Sequence, residues 1–183
     1  MQSTNFNCES ALINAGFKMS QASKTNVSKE IALTAVLSAA YAAAILLIII
    51  PSPTGGYTHV GDFVVFVSGL VFGYRVGGLV GIIGSVAVDL FTGYPRWFVS
   101  VVAHFLEGFV PGLAKNRPFA MQVIGCVIGG FLMATTYFLV NIYIKGIALA
   151  LVSYARDLIV QAGISIVLAL IVAKAVKKVY PQL

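Results

Sequence analysis

Charged side chains are what this sequence has least of: they make up 10% of its 183 residues, against 59% hydrophobic ones. A soluble domain carries about 25% charged residues, so too few are present to clothe a water-facing surface. The mean hydropathy of +0.95 agrees. Cysteine is nearly absent as well. Cys8 and Cys126 stand far apart, the second inside an apolar run, which excludes a disulfide framework and a cysteine-based metal motif. No Gly-Lys dipeptide occurs, so the phosphate-cradling loop of P-loop nucleotide hydrolases is missing, as is the His-Glu-x-x-His pattern of metalloproteases. The net charge of +6 raises nucleic acid as a partner, but the cations do not cluster among aromatics. They punctuate apolar runs instead, as topology signals do. Neither a nucleic-acid partner nor a cofactor nor an enzyme activity is expected.

What the chain does have is long apolar runs. Residues 31–50 carry no charge over twenty positions, about 30 Å as a helix and the thickness of a bilayer core. The run stops at P-S-P-T-G-G, where Pro51, Pro53 and a Gly pair end any helix. Residues 62–91 are again apolar, but Arg75 interrupts them beside Gly73, Gly77 and Gly78. An arginine at midmembrane costs about 2.5–3.5 kcal/mol, so Arg75 belongs in a turn between a short helix, 62–74, and a glycine-rich one, 76–91. The short helix is expected to pack inside the bundle. A fourth span covers 98–114 and ends at the basic turn Lys115-Asn116-Arg117-Pro118. The fifth covers 119–144, a connection follows at 145–153, and the sixth covers 154–173.

The expected fold is therefore an all-α integral membrane protein, a six-transmembrane-helix bundle over 28–183 behind a flexible cytoplasmic tail at 1–27. Met19 in that tail is an alternative start. With the N-terminus inside, the inner segments hold Lys18, Lys24, Lys29, Arg75, Lys115, Arg117, Lys174, Lys177 and Lys178; the outer ones hold only Arg96, Lys145 and Arg156. This bias places both termini in the cytoplasm of a multi-pass plasma-membrane protein.

Intramembrane acids are costly and therefore informative. Asp62 opens the second helix, Asp89 closes the third and Asp157 opens the sixth, all at the outer side. His104 and Glu107 share a face of the fourth helix at i, i+3. Tyr137 and Asn141 pair at i, i+4 on the fifth, and Asp157 and Gln161 on the sixth. Five helices thus send polar groups to one outer half. For Asp62 and Asp157, helix caps and hydrogen bonds internal to the bundle are an equal alternative, because acids complement the dipole at helix starts. His104 and Glu107 alone are two ligands without a nearby third His or Cys, so no metal is expected there. Tyr57 and His59 after the first span, and Tyr94, Trp97 and Phe98 after the third, belong either to an interfacial aromatic belt or to a wall over a flat heterocycle; Arg96 beside them is a candidate polar contact. The small residues Ala35, Ala39 and Ala43 form a stripe at i, i+4, i+8, as do Gly77, Gly81 and Gly84; Gly125 and Gly129 stand at the same spacing. Such stripes let helices approach closely, inside the monomer or against another subunit.

The stretches T-G-G-Y-T-H-V-G-D at 54–62, F-V-S-G-L-V-F-G at 66–73, G-S-V-A-V-D-L at 84–90, G-Y-P-R-W at 93–97 and L-E-G at 106–108 carry a resemblance. The chain resembles, over about residues 31–170, the substrate-binding S components of energy-coupling-factor (ECF) transporters, in the branch of hydroxymethylpyrimidine, pyridoxine and riboflavin types. The resemblance implies a six-helix protein that captures a vitamin at its outer face. It also implies assembly with a transmembrane coupling subunit and two ATPases, docked through the stripe that Ala35 and Ala39 match. His104 stands where relatives often have lysine, and Asn141 where they often have an acid, so no particular vitamin carries over. Two other classes stay open on the residues: a stand-alone carrier or channel, and a membrane enzyme or assembly factor.

Overall fold

The structure is a computed structural model and describes residues 27–52 and 56–181. The expected tail, with Cys8, Lys18, Met19 and Lys24, lies outside the described residues, as do residues 53–55. The chain forms two units, Met1–Leu33 and Thr34–Leu183. The first contributes only the opening turns of a helix to the described residues, and all that follows concerns the second.

Six helices are described: α1 (Val27–Leu47), α2 (Phe63–Phe72), α3 (Tyr74–Thr92), α4 (Trp97–Leu113), α5 (Phe119–Lys145) and α6 (Ile147–Val179). Four of them, α1, α3, α5 and α6, are long and apolar enough to cross a bilayer. The protein is an all-α membrane bundle, as its composition requires. Between α1 and α2 lies a small antiparallel hairpin, β1 (Ile50–Pro51) with β2 (Tyr57–Thr58), in register Ile50 to Thr58.

At 10 residues α2 is only about 15 Å long and cannot span. It is buried along Val64–Val71 without interruption. It packs against α3, α4 and the C-terminal half of α6, with Phe66, Leu70, Val71, Cys126, Ala169 and Ala173 in one apolar core. Cys126 is thus a core hydrophobe. The joint between α2 and α3 is Gly73 alone, whose φ of +103° is a conformation that L side chains rarely adopt, so Arg75 stands not in the connecting turn but in the first turn of α3.

Glycines bring α4 against its neighbours at backbone distance. A Cβ on Gly81 would lie 2.0 Å from the His104 carbonyl oxygen, and one on Gly77 2.5 Å from that of Gly108. On the other side, a Cβ on Gly129 would lie 3.0 Å from the Glu107 carbonyl and one on Gly125 3.2 Å from Pro111 Cα. Both glycine stripes therefore serve contacts within the monomer. They set α4 between α3 and α5, with Ser100, Ala103, His104 and Glu107 on its buried face.

The last span departs from expectation. Residues 145–153 are not a connection: Gly146, at φ +77°, is the joint, and the helix runs unbroken from Ile147 to Val179. Nothing in I-A-L-A-L-V-S breaks a helix. Asp157 therefore does not open α6. It begins a π-helical segment, Asp157–Ala162, within it. Such wide turns recur at functional sites, and this one buries both Asp157 and Gln161.

Candidate ligand-binding site

The hairpin folds its aromatic residues inward. The Tyr57 hydroxyl donates to Asp89 Oδ1 at 2.6 Å. Burial, reinforced by Asp89, raises the Tyr57 pKa well above the ordinary phenol value, so the group stays a donor. His59 is 4% exposed, and burial holds its imidazole below the usual histidine value, in the neutral form. Its Nδ1 has no hydrogen-bond partner and lies 3.6 Å from Asp62 Oδ1.

Asp62 is fully buried. Although it stands at the start of α2, its side chain makes no capping bond, and its hydrogen bonds run inside the bundle. Oδ1 accepts from the Tyr41 hydroxyl at 2.8 Å, and Oδ2 accepts from Gln161 Nε2 at 2.7 Å, across 99 residues of chain. Asp157 caps no helix start, since it lies within α6, and it accepts from Arg156 at 2.6 and 3.0 Å.

His104 and Glu107 share a face and touch: Nδ1 lies 2.6 Å from Glu107 Oε2, 3.2 Å from the Tyr41 hydroxyl and 3.7 Å from Asp62 Oδ1. On the other edge of the ring, Nε2 lies 3.3 Å from the Tyr137 hydroxyl, itself 2.6 Å from Ser100 Oγ. Nearer the helix ends, Arg96 donates to Asn141 Oδ1 at 3.2 Å and lies 4.9 Å from the Tyr94 ring centre, a cation–π contact. Arg156 also donates through Nη1 to Ser52 Oγ, fastening the hairpin to α6.

These groups surround one polar chamber. Of the residues singled out from sequence, Tyr57, His59, Asp89, His104, Tyr137, Asn141, Asp157 and Gln161 line it. Asp62 and Glu107 lie directly behind His104, and Arg96 reaches it through Asn141. Trp97 is not brought in. It is the first residue of α4, is 45% exposed, and has its ring against Phe98, which is the belt reading. Tyr94, one of the outer-loop aromatics, also lines it, whereas sequence reasoning missed Tyr41 as a site residue, and with it the lining residues Ser85, Lys145 and Arg156. For Tyr41 a signal existed. Thr34, Ser38 and Tyr41 are the only polar residues in the first apolar run, and their i, i+4, i+7 spacing is a buried stripe. Ala35, Ala39 and Ala43 lie on the exposed side of α1.

A six-helix membrane bundle around a polar chamber, without a P-loop, has the build of a substrate-binding subunit of a transporter. Residues 25–178 match the family model for the ECF-type riboflavin transporter, S component. The chain belongs to this family of substrate-binding membrane transport subunits, which is not an enzyme family. It is also similar to an uncharacterized protein in the gap 3' region of Pyrococcus woesei, with 32% identity over 127 residues, covering 67% of this chain and 84% of that one.

Proposed function

We propose that the protein captures a flat, hydrogen-bonding vitamin of the riboflavin type at its outer face. With a transmembrane coupling subunit and two ATPases, it delivers the vitamin into the cell. The observation that carries this reading is a pair of buried polar atoms with no partner, Asp89 Oδ2 and Arg96 Nε, beside the aromatic rings of Tyr57 and Tyr94. An unpaired buried polar group costs about 1–3 kcal/mol. A ring bearing both imide donors and carbonyl acceptors would satisfy the carboxylate and the guanidinium while stacking on tyrosine. Asn141 and Gln161 supply further amides that donate and accept. The cation bias sets this side outward.

Protein purified in detergent is expected to bind riboflavin with 1:1 stoichiometry and to quench its fluorescence by stacking. Tyr57→Ala should weaken binding by about tenfold, the equivalent of about 1.4 kcal/mol. Titrations with riboflavin, pyridoxine and hydroxymethylpyrimidine in which none binds would sink the reading.

Coupling is supported by the exposure of Ala35, Ala39 and Ala43 along one side of α1, opposite the buried Thr34, Ser38 and Tyr41. Small side chains on an outward face suit close approach by a partner helix. Ala39→Trp should leave vitamin binding in detergent intact and abolish ATP-driven uptake in cells carrying the coupling module. Uptake at the unmodified rate would refute docking on this face.

A further inference from the structure

We propose that Asp62, His104 and Glu107 bind one divalent metal ion of the zinc class below the vitamin chamber. The sequence argued against a metal because the His104–Glu107 pair has no neighbouring third ligand. The fold supplies one from the start of α2.

Four observations converge on this site. One ligand atom from each of Asp62, His104 and Glu107 lies within 4.8 Å of the other two. The separations of 2.6 Å and 3.7 Å from His104 Nδ1 bracket the edge of about 3.4 Å that a tetrahedral site with zinc-length bonds requires. Next, two buried polar atoms are unpartnered there: Glu107 Oε1, on a residue with no exposure, and His59 Nδ1, 3.6 Å from Asp62 Oδ1.

Charge gives the third. Asp62 and Glu107 are both fully buried, and among the described residues their ion-pair partners are histidines, with no lysine or arginine within reach. Buried carboxylates are paired or coordinate metals, and one divalent ion neutralises both. Lastly, the outer shell is already built. Tyr137 holds His104 Nε2, with Ser100 behind it, and Gln161 holds Asp62 Oδ2. Metal-ligating histidines and carboxylates are oriented by such partners. The mixture of imidazole and carboxylate suits zinc and its neighbours rather than calcium or magnesium.

The site does not depend on the vitamin reading, whose carrying atoms are those of Asp89 and Arg96. The test uses the full chain in detergent, stripped with chelator and free of vitamin. Equilibrium dialysis against Zn²⁺, read by elemental analysis, should give one zinc per chain. His104→Gln and Glu107→Gln should each weaken binding by more than tenfold, and Tyr137→Phe, which disturbs only the outer shell, by about tenfold. Zinc-edge absorption spectroscopy of the unmodified protein should show nitrogen and oxygen ligands with imidazole scattering, and it decides the matter if a variant does not fold. No retained zinc, unchanged affinity in folded His104→Gln and Glu107→Gln, or a zinc shell without imidazole would each overturn the site. Riboflavin titration of the stripped protein reports on the vitamin separately.

Discussion

Asp62→Ala is expected to be among the most damaging single substitutions in the protein, destabilising it by about 3–5 kcal/mol, the range for removing one partner from a buried charged network. The carboxylate holds α1, α2 and α6 together through Tyr41 and Gln161, and it faces His59 and His104. Alanine would leave the buried Tyr41 hydroxyl with only the His104 nitrogen and the buried Gln161 amide without its acceptor. Membrane helices gain little from hydrophobic association with one another, because lipid is as apolar as leucine. Polar contacts of this kind are correspondingly important to helix register. Asp62→Asn keeps an oxygen for Tyr41 and should cost less than half as much. Thermal unfolding in detergent, followed by intrinsic fluorescence, checks both variants. An Asp62→Ala protein within about 1 kcal/mol of the original would refute the hub role.

The second large effect is expected at Gly81, where the damage is steric. The Cβ of Gly81→Ala would lie 2.0 Å from the His104 carbonyl oxygen and 2.6 Å from its carbon. These are backbone atoms inside a helix, so no rotamer change relieves the contact, and α3 and α4 must separate. Overpacking costs about 1–3 kcal/mol, and the upper end applies because Gly77 and Gly108 meet as closely on the same interface. His104 would move with its backbone, so ligand capture should fall together with stability. Gly163→Ala is the control. There the nearest atom is the Leu158 carbonyl at 3.3 Å, and the helical gain of up to about 1 kcal/mol from alanine should roughly offset the contact. Equal melting temperatures for the two variants would contradict the assignment of Gly81 to close packing.

Much of the fold was legible because hydropathy is a local property. A run of apolar residues lowers its free energy in lipid whatever the rest of the chain does, so five of the six spans fell within a few residues of the observed helices. The exception was α6. Its first two turns, I-A-L-A-L-V-S, hold no helix breaker, and Gly146 alone is the joint. The outward display of polar groups on α3, α4, α5 and α6 was also legible, since helical spacing places i, i+3 and i, i+4 pairs on one face.

The relations between helices were not legible. Trp97 and Tyr57 look alike as aromatics in outer connections, yet one meets Phe98 at the exposed start of α4 and the other bonds to Asp89. Tyr41 lay in plain view as the single aromatic of the first run, but its partners are 21 and 63 residues away.

The sequence by itself determined that this is a six-helix membrane protein with four of its six acids in or at the ends of apolar runs, because the cost of burying charge in lipid acts on each residue separately. Only the tertiary structure decided that Asp62 stands against His104 and Glu107, that a π segment buries both Asp157 and Gln161, and that the alanine stripe of α1 is exposed. Those outcomes depend on how far each helix is rotated and how closely glycine lets its backbone approach the next. That is a property of pairs of helices, and no single run of residues contains it.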